Sequence, residues 1–166
     1  MSDGLTIDVN VQIKDALKKL DAKTVESLLT TALVSGALLI QNAAKQKAPK
    51  KTTTLARSIH IGGHTRLAPD FEHGQDYGDL GKPGPLQAII GTNLEYAMIQ
   101  EYGGIIHAKN GPYLVFKTKD GTWHSVAAVN IPAHPYMRPA LDEQKNAALK
   151  EVGVAFMELV AKALAK

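Results

Sequence analysis

The sequence contains no cysteine among its 166 residues, and that absence excludes several classes of site at once. Disulfide bonds, thiolate-bound metal ions, iron–sulfur clusters and cysteine nucleophiles all need the thiol group that the chain lacks. Aromatic residues make up only 5 % of the chain, so alanine, leucine, valine and isoleucine supply most of its apolar bulk. The chemistry open to this protein is correspondingly narrow.

Long apolar runs are missing as well. The longest, at residues 32–40, is far shorter than the ~20 residues that a membrane-spanning helix needs. The first residues lack the basic flank and the apolar stretch of a signal peptide. We therefore expect synthesis in a cytoplasm and no membrane partner.

What is present is an ordinary globular composition, with 45 % hydrophobic and 21 % charged residues. A chain of this length normally forms one domain and can bury a sizeable core. We predict a single domain over residues 1–166 without internal repeats.

The formal net charge of +3 hides a separation of charge along the chain. Residues 27–69 hold six basic and no acidic residues, whereas residues 70–106 hold six acidic residues and one lysine. A net charge this small does not by itself indicate nucleic-acid binding. The separation instead suggests two unlike surfaces, one basic and one acidic.

Two long amphipathic helices are the clearest predicted elements. Apolar residues recur at steps of three and four over residues 22–46 and again over residues 139–165, which is the period of one helix face. Asp21 is placed to cap the first helix and Pro49 to end it. Gly36 lies inside the apolar stripe, where the close approach of another backbone would explain a glycine.

Shorter elements lie between these helices, and residues 62–85 form an extended loop rich in glycine and proline. Asn110-Gly111 and Asp120-Gly121 are hairpin signals. A short helix is predicted at residues 93–102, and strands at residues 55–62, 86–91, 105–108, 113–118 and 122–129. The fold class is therefore α+β, with a small antiparallel sheet, the two long helices packed on one of its faces, a short helix and the long loop.

The enzyme signatures that we sought are absent from the sequence. It contains no G-x-S-x-G, no phosphate-binding GK[ST] loop, no G-x-G-x-x-G and no H-E-x-x-H. His60 and His64 lie four residues apart, but across a strand end and a Gly-Gly turn, and spacing places no third metal ligand beside them. A small hydrolase with an unrecognised site near these histidines is an alternative. We predict no enzyme activity, no metal and no cofactor.

Basic side chains follow one another across the end of the first helix, at Lys45, Lys47, Lys50, Lys51 and Arg57. Such a run can contact nucleic-acid phosphates, which makes a small basic DNA-binding accessory protein the alternative function. No aromatic residues lie among these side chains to stack on single-stranded bases. Contact with an acidic neighbour is the interpretation that we favour.

Three short motifs occur in a familiar order. They are AKQKAP at residues 44–49, followed by Thr52, Leu55, Ser58 and Ile59; EYA and QEYGG within residues 95–104; and IPA and PYMRPA within residues 131–140. Together they resemble the tail-completion, or virion morphogenesis, family of minor tail proteins from tailed bacteriophages. The resemblance covers about residues 29–166 and departs from the family at Thr53, where members usually have glycine.

This resemblance implies a structural virion protein of the phage neck. Members form rings that complete the head-proximal end of the tail and join it to the head connector. The implied partners are further copies of the chain in a hexameric or twelve-fold ring, a tail terminator or tail tube protein, and a head-completion or connector protein, with DNA only passing through the lumen. The implied location is the virion, reached from the host cytoplasm during assembly, and the role needs no catalytic group or cofactor.

We predict that an acidic loop, Asp70 to Asp79, of one subunit contacts a basic turn, Lys47 to Arg57, of a neighbouring subunit or ring. Arg138 is expected to pair with Glu101 by charge-assisted hydrogen bonds, the alternative being a solvated Arg138 at the helix start. The residues predicted to contact subunits or partners are Lys47, Lys50, Lys51, Arg57, Asp70, Glu72, Asp76, Asp79, Glu101 and Arg138.

Overall fold

The structure is a computed structural model that describes residues 17–50, 53–62, 64–66 and 76–165. Two long helices dominate it, α1 at Ala22–Lys47 and α4 at Met137–Leu164. Two short helices lie between them, α2 at Thr54–Ser58 and α3 at Ala97–Tyr102. The mixed α+β class with two long helices is thereby confirmed.

The start and end of α1 follow from its terminal residues, as predicted. Asp21 caps the helix, since its carboxylate accepts the Thr24 backbone N–H at 2.9 Å and the Thr24 hydroxyl at 2.6 Å. These hydrogen bonds, the side-chain one first, hold the pKa of Asp21 below its usual value. At the other end Ala48 leaves the helical conformation just before Pro49.

The two long helices pack side by side and run antiparallel. Lys47, near the end of α1, lies 2.7 Å from Glu143, near the start of α4, and Gly36 meets Ala148 and Val152 further along. A Cβ on Gly36 would lie 2.5 Å from Val152 Cγ2 and 2.7 Å from the Ala148 carbonyl oxygen. The glycine is therefore required by the close approach of α4, as its position in the apolar stripe predicts.

The core is built largely from small side chains. Its buried cluster lies where α1, α2, α3 and the start of α4 meet, and it consists of Ala43, Ala44, Ala48, Leu55, Ile59, Ala97, Tyr136 and Ala140. Alanines let the helix backbones approach closely, and Tyr136 fills the largest share of the remaining space at 2 % exposure.

α1 is also long and apolar enough to cross a membrane by length and composition alone, with a mean hydropathy of 1.4 over its most apolar window. The uninterrupted apolar run at residues 32–40 is much shorter than a membrane span, so the length of that run alone does not show that the whole helix passes this test. A core helix satisfies the same test, and in the structure α1 packs along α4.

The antiparallel sheet consists of four separate two-stranded ladders. The strands are β1 His60–Ile61, β2 His64–Arg66, β3 Asp76–Asp79, β4 Ile90–Gly91, β5 Gly104–His107, β6 Leu114–Lys117, β7 Trp123–Val126 and β8 Ala128–Ile131. β1 pairs with β4, β2 with β3, β5 with β8, and β6 with β7. The predicted Gly- and Pro-rich loop at residues 62–85 thus includes the short β2–β3 ladder.

β5 to β8 form two ladders that follow one another along the chain, and we call them together the ribbon (residues 104–131). Only Ala127, where the chain bends, separates β7 from β8; β7 pairs with β6, and β8 pairs with β5. The chain reverses at Asp120-Gly121, where the Thr118 N–H donates to the Thr122 carbonyl at 2.9 Å and Gly121 has φ +88°. This turn, which the sequence predicts, forms the tip of the ribbon.

Two sequence predictions are wrong in this region. Asn110-Gly111 does not form a hairpin, because β5 pairs with β8 and β6 pairs with β7 instead of with each other. Most of residues 55–62 is not a strand: Thr53 adopts a left-handed conformation, α2 follows it, and only β1 near the end of this segment is a strand. The strand predicted at residues 86–91 is likewise reduced to β4.

Candidate partner-contact surface

Glu101 occupies a buried position at the junction of α3 and α4, with 4 % exposure. Its carboxylate accepts the backbone N–H groups of Tyr136 at 2.7 Å, Met137 at 2.9 Å and Arg138 at 3.1 Å. The first N–H groups of a helix have no partner inside it, and Tyr136 supplies no side-chain cap. Glu101 therefore caps α4 from a different element of the fold.

Arg138 pairs with Glu101, as the sequence predicts. Its Nε donates to Glu101 Oε1 at 3.2 Å, and its guanidinium lies over the Tyr102 ring at 4.6 Å from the ring centre. The Arg138 side chain is 57 % exposed, so only the carboxylate side of this pair is buried. We call Glu101, Tyr102, Gly103, Tyr136 and Arg138 the Glu101 clamp.

The clamp keeps Glu101 ionised. Burial alone would raise the pKa of Glu101, but the three backbone N–H groups and the Arg138 side chain outweigh it, and the pKa lies below its usual value. The N-terminal end of the α4 dipole favours the same charge. Burial and the nearby Glu101 charge raise the pKa of Tyr136 to about 12.

Gly103 brings the base of the ribbon against α3. Its φ is +70°, and a Cβ there would lie 2.8 Å from the Ala133 nitrogen and 2.9 Å from the Ile131 oxygen. The His134 N–H donates to the Gln100 carbonyl at 2.7 Å beside it. The second and third sequence motifs thus form one structural unit, which anchors the ribbon to the helices.

Beyond this anchor the ribbon exposes apolar side chains on both faces. Val115 and Trp123, on one face of the β6–β7 ladder, are 65 % and 68 % exposed. Phe116 lies on the opposite face, stacked on His124, and is also exposed. The exposed large apolar residues of the ribbon are Ile105, Ile106, Tyr113, Val115, Phe116 and Trp123. A two-stranded arm is only marginally stable alone, so this surface is suited to being covered by a partner.

The described basic residues predicted to contact a neighbour lie on α1, just after it, and on α2. Lys47 is engaged within the chain, where its ammonium donates to Glu143 at 2.7 Å. Lys50 follows α1 and Arg57 lies on α2, both exposed. Their contact with a neighbour stays a prediction.

The acidic residues predicted to contact a neighbour lie only partly within the described residues. Asp76 and Asp79 are the first and last residues of β3. Lys51, Asp70 and Glu72 lie outside the described residues. Within the part of the chain that the structure describes, Glu101 and Arg138 are the members of the predicted set that are seen to pair with each other.

Sequence reasoning missed the apolar surface of the ribbon and the role of Glu143. A signal for the ribbon is present in the sequence: Ile105-Ile106 and Leu114-Val115-Phe116 place apolar residues on both faces of a strand. Few elements of this chain remain to cover the second face of such strands, so apolar residues on both faces favour contact with an external partner.

The histidines build no metal site in the part of the chain that the structure describes. His60 is buried, its Nδ1 lies 2.7 Å from the Ser58 carbonyl oxygen, and its Nε2 has no hydrogen-bond partner among the described residues. No group of three acidic or histidine side chains within those residues could hold a metal ion.

Comparison with family models gives a match over residues 12–103 to the HK97-gp10-like family, described as "Bacteriophage HK97-gp10, putative tail-component". The matched stretch is more than half of the chain. The chain belongs to this family. Neither the comparison with curated proteins nor that with solved structures gives a match.

Membership makes this HK97-gp10-like protein a structural component of a phage tail, and hence of the virion, that interacts with other phage structural proteins. The matched residues include α1 and Glu101 but end at Gly103, just before the ribbon. The match to the family model therefore does not include the ribbon or α4.

Proposed function

We propose that the protein is a ring-forming subunit of the phage neck that completes the head-proximal end of the tail and joins it to the head connector. Membership of the HK97-gp10-like family supports a role as a tail component. The resemblance of the three sequence motifs to tail-completion proteins supports a position in the neck. The observation that carries the proposal is the ribbon, whose apolar side chains are exposed on both faces while its base is held by the Glu101 clamp.

A joining protein acts through surfaces and needs no catalytic group. The clamp fixes the ribbon base relative to α4 through backbone contacts at Gly103 and His134. A rigidly based arm loses less conformational freedom on binding than a free loop would, which favours association. The subunit can thus present its contact surface in one orientation to each neighbour.

The proposed partners are further copies of the chain in a hexameric or twelve-fold ring, the tail terminator or tube protein, and the head-completion or connector protein. DNA passes through the lumen without a dedicated site. The finished protein sits in the virion neck, after assembly in the host cytoplasm.

Deletion of the gene from its phage tests the joining role. We expect DNA-filled heads and complete but separate tails, seen by electron microscopy, and restored infectivity when the purified protein is added to the extract. Absent or misshapen tails would contradict the proposal, because they would indicate a role in building the tail itself.

The charged contact between subunits has a separate test. The double variant Lys50→Glu, Lys51→Glu should weaken assembly at low salt. It reverses two charges of the basic segment, and the attraction between exposed charges is strongest where little salt screens it. Unchanged assembly of this double variant would contradict that contact. Salt-sensitive binding of the isolated protein to duplex DNA would instead support the alternative, a small basic DNA-binding accessory protein.

A further inference from the structure

An apolar groove lies at the start of α1. It has a volume of about 560 Å³ and runs between the first turns of α1 and the segment at residues 85–86. Most of the residues that line it are apolar, and Glu26 adds one carboxylate. The apolar residues on its two walls include Leu17, Leu20, Val25, Leu29, Pro85 and Leu86.

The groove is open in the part of the chain that the structure describes. Val25 and Leu29 lie on the apolar stripe of α1 but are only half buried, and Leu86 is 49 % exposed. Water therefore reaches apolar side chains on both walls. Such a surface is suited to being covered.

Leu86 is also held in a strained backbone conformation. Its φ is +57°, in a region that bulky residues avoid and that glycine adopts without strain. Strain of this kind persists only where the surrounding structure maintains it. Since a glycine would adopt this conformation more easily, what the leucine adds is an apolar side chain on the wall of the groove.

The segment that precedes the groove in the chain has one apolar side. Residues 1–16 lie outside the described residues, so the observation is one of sequence. Apolar and polar residues alternate strictly over residues 5–11, and this period of two puts every apolar side chain of an extended segment on the same side. The apolar members are Leu5, Ile7, Val9 and Val11, and the polar members between them are Thr6, Asp8 and Asn10.

We propose that residues 5–11 pack along this groove of their own chain as an extended strap, with the apolar side toward Val25, Leu29 and Leu86. The polar side of the strap then faces water. This contact within the chain goes beyond the role in the phage neck and does not depend on it.

The strap and the groove are joined by a short link. Val11 and Leu17 are six residues apart, so at most ~20 Å separates their Cα atoms, and Leu17 itself lines the groove. The Leu20 N–H donates to the Leu17 carbonyl at 3.2 Å, so the chain turns just before Asp21 caps α1. A short flexible link gives an effective concentration in the millimolar range. The strap of the same chain therefore occupies the groove in preference to a segment from a dilute second copy.

The length of the strap is sufficient for the groove. On α1 the lining runs from Ala22 to Leu29, which is ~10 Å at 1.5 Å per residue. An extended strap from Leu5 to Val11 is ~20 Å long at about 3.3 Å per residue. The strap can therefore cover the whole α1 wall.

Two neighbouring substitutions in the purified full-length chain test which side of the strap is buried. Val9→Asp and Asn10→Asp add the same negative charge one residue apart, but only Val9 belongs to the apolar side. We expect Val9→Asp to lower the midpoint of thermal unfolding by about 5 °C or more, because a charge replaces a buried valine. Asn10→Asp should shift the midpoint by less than about 2 °C. Equal shifts for the two variants would overturn the proposal.

Cross-linking tests the position of the strap with substitutions that preserve the fold. The chain has no cysteine, so Val25→Cys combined with one cysteine in the strap gives the only two thiols. Disulfide formation under mild oxidation is followed by the loss of free thiols. The strap variants are Ile7→Cys, Val9→Cys and Val11→Cys on the apolar side, and Asp8→Cys and Asn10→Cys on the polar side.

The rates should alternate along the strap. We expect the three apolar-side variants to react at least tenfold faster than the two polar-side variants, because an extended strap turns alternate side chains toward and away from Val25. A segment that is merely tethered nearby reacts at every position, so rates without this alternation would overturn the proposal.

The size of the cross-linked product identifies the occupant of the groove. A strap from the same chain gives a product that migrates as a monomer on a non-reducing denaturing gel at every protein concentration. A dimer whose yield grows with concentration would overturn the proposal, because a second copy would then supply the segment.

Discussion

At the crossing of α1 and α4 the backbones approach so closely that a methyl group on Gly36 would overlap Val152, whereas Trp123 on the ribbon is 68 % exposed. The first region satisfies its packing within the chain, and the Glu101 clamp at its end satisfies the polar groups as well. The second region presents apolar side chains that the described part of the chain does not cover. The helices thus carry the stability of the subunit, and the ribbon is the surface that we propose for its contacts.

The largest expected effect follows from removing the charge of the clamp. Glu101→Gln keeps the shape of the side chain but turns one oxygen into an amide that faces N–H donors. We expect a loss of about 3 kcal/mol in the free energy of unfolding, because buried donors lose their acceptor. Urea unfolding measures this loss.

Glu143→Gln is the matched control for that variant. Glu143 forms a surface pair with Lys47 and is half exposed, so its substitution should cost less than about 1 kcal/mol. If the two variants unfold at the same urea concentration, the clamp is not the stabilising contact that its geometry indicates.

The two glycines of the long helices sharpen the comparison further. Gly36→Ala should destabilise the fold by about 1–2 kcal/mol, because overpacking against the Ala148 backbone outweighs the helix propensity gained. Gly153→Ala should stabilise the isolated subunit by up to ~1 kcal/mol, since nothing among the described residues lies near its Cβ. Thermal unfolding of the two variants should shift in opposite directions, and a shift in the same direction would contradict this difference.

The clamp also predicts a pH dependence. The pKa of Glu101 is lower in the folded chain than its usual value of 4.5, so its contribution is complete above that value and is lost as the pH falls through the folded pKa. The stability difference between wild type and Glu101→Gln should therefore be constant near neutral pH and narrow in acid. Asp21 and Asp120 also have lowered pKa values and contribute to the pH dependence of both proteins, so their contributions cancel in this difference. A difference that stays constant to about pH 3 would contradict the assignment.

The long helices were predictable because their signals are local. The apolar period, the Asp21 cap and Pro49 determine the bounds of α1 without reference to the rest of the fold. The short segment after it was not predictable, because alternation over a few residues fits a strand and a turn of helix equally well. There the left-handed Thr53 and the hydrogen bond from the Ser58 hydroxyl to the Leu55 carbonyl favour α2.

The ribbon and the clamp depend on contacts between distant residues. Asn110-Gly111 signals a hairpin locally, but β5 pairs with β8 across the chain, and the local signal is overridden. The Glu101–Arg138 pair follows from charge and motif, whereas the three backbone N–H groups that Glu101 accepts depend on how α3 meets α4. Sequence reasoning therefore found the pair but not its capping role.

The smallest expected effect on stability belongs to the ribbon. Trp123→Ser removes a side chain that is 68 % exposed and whose ring centre lies 5.8 Å from the Lys117 ammonium nitrogen. The free energy of unfolding of the isolated subunit should therefore change by no more than about 0.5 kcal/mol. If the ribbon is a contact surface, the same variant should nevertheless reduce the joining of tails to heads in a complementation assay. Gly36→Ala provides the opposite pattern, with a destabilised subunit that still joins once folded. A Trp123→Ser variant that unfolds like Gly36→Ala would mean that the ribbon is held by the chain itself, and the division between a stabilising helix pair and a contacting ribbon would then be wrong.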